Sequence, residues 1–186
     1  TARTGNVYYL HLTSSKGGKP TYHFSTRRRG NSVDLVSAGY ELYEKIGGQV
    51  FLRRKLPQLI SDEEVRLVKE ALKAHAEEWR YKTEVKKNTI ILHEAGQDTG
   101  WIESFPALAA DKARVRQYLI QSASYMAVMR FILDDPEKRL FFAERYCFRG
   151  SVEDWISIGH APPAKLPALL KKFIKHPGRE SFYELY

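Results

Sequence analysis

The sequence predicts an α+β protein, with antiparallel sheets built from hairpins and amphipathic helices packed on one face. Three observations carry this. Short runs of alternating apolar residues are separated by Gly-, Pro- or Asn-containing turns, the pattern of strands joined locally. Residues 61–79 switch to helical spacing behind an N-terminal cap. Residues 165–178 show a second compact amphipathic pattern, stopped by Pro177 and Gly178. Strands made from local hairpins pair antiparallel, and helices beside them segregate to one face.

The first hairpin is VYYLHLTSSKGGKPTYHFSTRR, with strands at about 7–13 and 21–27 around Gly17, Gly18 and Pro20. Tyr8, Leu10 and Leu12 alternate on one strand, Tyr22 and Phe24 on the other, and they are assigned to the core face. The same parity sets His11 opposite His23 as two half-exposed histidines. RRRGNS, residues 27–32, is a charged loop. A second hairpin has strands at about 40–45 and 49–55, turning at Gly47 and Gly48. The four strands are expected to share one sheet.

Ser61 caps a helix over about 62–78, and Glu64 completes a Ser-x-x-Glu capping box. Asp62 and Glu63 suit the positive end of its dipole. Val65, Val68, Leu72 and His75 recur on the face that should meet the sheet. Alternation returns in a third hairpin, with strands at about 81–86 and 89–94 turning at Lys86, Lys87 and Asn88. Residues 96–109 read as a connection. Residues 114–121 fit helix or strand. Strands at about 125–133 and 139–148 flank the turn Asp134-Asp135-Pro136, and DWISIG fits a short third strand. In the last helix, about 165–176, Leu166, Leu169, Leu170, Phe173 and Ile174 line one face and Lys171, Lys172 and Lys175 the other. The expected organisation is a hairpin-rich region 1–95, the connection 96–109 and a second α+β half 110–186.

Composition narrows the function classes. Of 186 residues, 43% are hydrophobic and 28% charged, enough apolar side chains for a core and too many for a disordered chain. One cysteine excludes an internal disulfide and suggests a reducing compartment, the cytoplasm. No apolar run approaches the roughly 18 residues of a membrane span, so no membrane partner is expected. The net charge of +8 is concentrated early: residues 1–95 hold 17 basic and 11 acidic side chains, residues 96–186 hold 13 and 11. Such a field attracts polyanions.

Three constellations carry candidate chemistry. Cys147 has Arg145 and Arg149 two residues to either side, on the same strand face, where cations favour the reactive thiolate. His160 follows as a potential base. With Arg130 on the neighbouring strand, the two arginines also suit an anion patch. The opposed His11 and His23 supply two weak candidate metal ligands. A zinc site needs a third, and His75, His93, His160 and His176 do not have ligand spacing. The third constellation is basic and aromatic. Arg27, Arg28 and Arg29, then Arg53, Arg54 and Lys55, then Lys86 and Lys87 mark strand ends, with Tyr9 as a potential stacking surface. Clustered cations and rings track a phosphate backbone and stack bases.

No Gly-x-Gly-x-x-Gly, Walker, Gly-x-Ser-x-Gly or His-Glu-x-x-His motif is present, and no cofactor is expected. The reading is a binding module for polyanions, nucleic acid among them, using the first two basic clusters together with Arg145 and Arg149. One alternative is an enzyme using Cys147. The other is an interaction module without catalysis, served by Trp101 and Phe105.

Overall fold

In a computed structural model of the chain, residues 2, 5–55, 57–104, 111–149, 152–159 and 162–185 are described, with backbone alone for 101, 103, 148, 149 and 152. The fold is α+β, with antiparallel pairings and α-helices between them. The chain divides into two compact units, residues 1–56 with 105–122 and residues 57–104 with 123–186.

The first unit contains β1 (Tyr9–Ser14), β2 (Pro20–Ser25), β3 (Ser32–Val33), β4 (Tyr40–Glu44), β5 (Val50–Arg54) and α2 (Lys112–Gln121). Residues 114–121 are therefore helical. The two hairpins form where the glycine turns place them, and Gly18 and Gly48 adopt φ of 76° and 84°, the left-handed region that glycine enters without strain. They do not share a sheet. The order is β2-β1-β3, with β4-β5 a separate ribbon. The second edge of β1 is taken by the short β3, Leu10 opposite Val33 and His11 opposite Ser32.

The second unit contains α1 (Asp62–Lys73), β6 (Tyr81–Lys86), β7 (Thr89–Ala95), β8 (Tyr125–Asp135), β9 (Leu140–Arg149), β10 (Val152–Ser157), β11 (Ala164–Lys165) and α3 (Leu166–Phe173). Its sheet runs β10-β9-β8-β7-β6, with β11 added on β9. The expected division between 1–95 and 110–186 runs across this sheet: β7 pairs with β8 from Thr89 opposite Ile132 to Ala95 opposite Tyr125. Hairpin patterns reveal only the neighbour next in sequence, and a strand has two edges to fill.

Ile90, Phe131 and Ala143 are neighbours across β7, β8 and β9, large against small, and all are buried. Leu92 and Met129 continue the same face. Val68 and Leu72 of α1, and Leu166, Leu169, Leu170 and Phe173 of α3, complete this core. α1 begins at its capping box but stops at Lys73, and His75 is exposed rather than on the sheet-facing side. A 3₁₀ turn, Glu78–Arg80, then redirects the chain into β6. Among the described residues, no helix is long and apolar enough to cross a membrane.

Candidate functional site

The two units differ sharply in charge. The first holds thirteen basic and four acidic side chains, net +9; the second holds seventeen and eighteen, net −1. In the second unit several arginines meet acids: Arg66 bridges Glu63 and Glu70 at 2.6 and 2.8 Å, Arg80 meets Glu94 at 3.2 Å, and Arg130 meets Glu144 at 2.5 Å. In the first unit, Arg27, Arg29, Arg54 and Lys55 are exposed and have no ion pair among the described residues. Arg28 approaches Asp34 only at 3.9 Å, in solvent. Arg53 differs: its Nε donates to Glu41 at 2.7 Å, and its guanidinium lies 4.0 Å from the Tyr43 ring centre.

His11 holds the first basic loop. Its register partner is His23, as alternation allows, and the rings stack at 5.2 Å with 21° between planes. The histidines are not equivalent, however: His23 is exposed, whereas His11 has 0% exposure. The loop after β2 folds back over it. The His11 ring lies 3.0 Å through Nε2 from the Arg27 carbonyl and 3.1 Å through Nδ1 from Asn31 Oδ1. Asn31 Nδ2 in turn donates to the Leu12 carbonyl at 3.2 Å. With both ring nitrogens engaged, His11 has no free position for a metal, and no cluster of three or more ligating side chains occurs among the described residues.

A groove of about 420 Å³ lies between β2 and β5. Tyr8, Tyr22, His23 and Phe24 form one wall, Val50 and Phe51 part of the other. The Tyr22 ring centre is 6.1 Å from that of Tyr40, and its hydroxyl is 2.5 Å from Ser37 Oγ. Lys45 Nζ stands 4.7 Å from the Phe51 ring centre. Alternation assigns Tyr8, Tyr22 and Phe24 to a core face, but all three are only half-buried, and it gives no role to Tyr40, Phe51 or Lys45. The signal was present in the hairpin register, which sets Tyr43 opposite Phe51 and Glu41 opposite Arg53 on one face. The same alternation allowed a plain core reading. Tyr9, the ring considered for stacking, is half-buried on β1 and is not among those lining the groove.

The remaining candidates are dispersed. Arg145 is 3% exposed, and its guanidinium donates to the carbonyls of Leu185 at 2.7 Å and Tyr183 at 3.3 Å, so it ties residues 183–185 to β9. Arg130 lies on the opposite face: its cross-strand partner is Glu144, whereas that of Arg145 is Met129. Arg130 also stacks 4.3 Å from the Trp155 ring centre. Cys147 shares the face of Arg145 and is 4% exposed. The Arg149 side chain, His160, the Trp101 side chain and Phe105 lie outside what is described. Lys86 and Lys87 belong to the second unit, where Lys86 meets Glu84 at 3.1 Å. A cleft of about 330 Å³ between α1 and β6 mixes Arg66, Lys69, Lys73 and Lys82 with Glu70, Glu77 and Glu78, so both signs line it.

Compared with protein-family models, curated proteins and solved structures, the chain matches none.

Proposed function

We propose that the first unit is a binding module for polyanions, in which Arg27, Arg28, Arg29, Arg54 and Lys55 contact the ligand. The observation that carries this reading is the partition of charge, +9 in one unit and −1 in the other. A field of one sign, with cations not neutralised by neighbouring acids, concentrates polyanions and speeds their encounter. Arginine is suited to phosphate because its planar fork donates two parallel hydrogen bonds. Arg145 and Arg53 drop out of the contact set because backbone carbonyls and Glu41 already engage them. From the single cysteine of the sequence we also propose a reducing compartment, the cytoplasm.

The test replaces Arg27, Arg28 and Arg29 by Gln and measures affinity for a nucleic-acid duplex over a salt series. Affinity should fall for all sequences alike, and the slope of log K against log salt should flatten by up to about 2.7, three lost phosphate contacts. A matched control replaces the exposed Lys171 and Lys172 of α3 by Gln and should leave both quantities unchanged. Binding that ignores the triple substitution and salt alike refutes the assignment.

A further inference from the structure

We infer that the groove between β2 and β5 receives the unpaired bases of a single-stranded nucleic acid while the neighbouring cations hold its phosphates; this deepens the polyanion reading and rests on it. The groove has a volume within the range of small-ligand pockets, and Tyr8, Tyr22, His23, Phe24 and Phe51 are aromatic residues of its lining. Such a lining offers flat faces for stacking, which suits any base. In a duplex those faces are already stacked and paired. Inorganic polyphosphate has none to offer. The occupant that uses both rings and cations is therefore a single strand.

The platform is held in place beforehand. His23 is backed by the buried ring of His11, and Tyr22 is tied through Ser37 and packed on Tyr40. Phe51 remains 39% exposed beneath Lys45. The connection to the basic loop is short: His11, which backs His23, is hydrogen-bonded to the carbonyl of Arg27. A base on the His23 side would thus lie beside the start of the Arg27–Arg29 segment, and one on the Phe51 side beside Lys45. Tyr22 meets Tyr40, and Tyr40 faces Arg54 across the ribbon, so a further cation borders the Tyr22 end.

The experiment measures fluorescence anisotropy of the full chain with a labelled oligothymidylate, a hairpin duplex of equal phosphate number, and inorganic polyphosphate as competitor. The unsubstituted chain should prefer the single strand to the duplex. Tyr22→Ala with Phe51→Ala should weaken oligothymidylate binding about ten-fold or more, as expected for at least one lost stacked base. Polyphosphate binding should stay within about two-fold, since the phosphate contacts remain. Phe51→Trp, which keeps a ring, should retain single-strand affinity. Equal affinity for single strand and duplex, an unchanged double variant, or a parallel loss of polyphosphate binding would each overturn the inference. In the first two cases the polyanion reading survives. If the unsubstituted chain binds no polyanion at low salt, that reading fails and this one with it.

Discussion

At the scale of single residues, solvent access separates the groups with chemical potential from those that only support the fold. Cys147 carries the most nucleophilic atom in the chain, yet it is buried on β9, and the arginine beside it in the alternation is committed to backbone carbonyls. A thiol in that position reacts only when the sheet opens locally. Iodoacetamide should therefore label the folded protein at least about ten-fold more slowly than the urea-unfolded chain, a gap set by the free energy of opening. Rapid labelling in the folded state, with a pH midpoint below the ordinary thiol value of about 8.5, would revive the enzyme alternative. The register that sets His11 directly opposite His23 is fixed by the turn closed between Ser15 and Lys19, and strand parity alone made only their shared face legible. Which of the two is buried was not. That depends on the Arg27–Asn31 loop folding back over β1, a path that alternation does not encode.

At the scale of elements, α1 shows how a local signal is completed from far away. The capping box was readable: Glu64 N–H donates to Ser61 Oγ at 3.3 Å, and Ser61 N–H donates to Glu64 Oε2 at 2.9 Å. The non-local part is Arg139, in the β8–β9 turn, whose Nε donates to Glu64 Oε1 at 3.0 Å and whose terminal nitrogens donate to the Leu59 carbonyl at 3.1 Å. Burial alone would raise the Glu64 carboxyl. The Arg139 guanidinium and the Ser61 donors outweigh it and hold the group below its ordinary value of 4.5. A carboxyl lowered on folding contributes stability that is complete above its unfolded value and disappears as pH falls through its folded one. Glu64→Gln should thus cost about 2 kcal/mol in urea unfolding near neutral pH. The difference from the unsubstituted chain should shrink on titrating below 4.5. A difference that does not change with pH would mean that the ion pair contributes nothing to the effect. Local pattern likewise found most strands of both units but missed their assembly: β8 pairs with β7 across a long connection, and the two-residue β3 takes the free edge of β1 while the second hairpin, expected in the same sheet, stands as its own ribbon.

At the scale of the whole molecule, apolar burial and charge are distributed in opposite senses. Among the described residues of the first unit, Ala2 and Leu10 are the buried apolar ones, whereas the second unit has the large contiguous core over its sheet. The unit with the smaller core thus also carries the net +9, and like charges packed together oppose compaction. Its stability should depend on whatever screens or neutralises that charge. Raising salt from about 0.01 to 0.15 M shortens the screening length from about 30 to 8 Å, so self-repulsion across a small unit falls steeply. Peptide-resolved amide exchange should then slow in β1, β2, β4 and β5 and change little in β6 to β10. A bound polyanion should act in the same direction at low salt. At a free concentration of about 100 times its Kd it adds about 2.7 kcal/mol to the state that binds it, roughly a hundred-fold slowing of exchange that requires unfolding of that unit. Exchange in β1 to β5 that is indifferent to both salt and polyanion would show that the positive field neither strains the unit nor recruits a ligand to it.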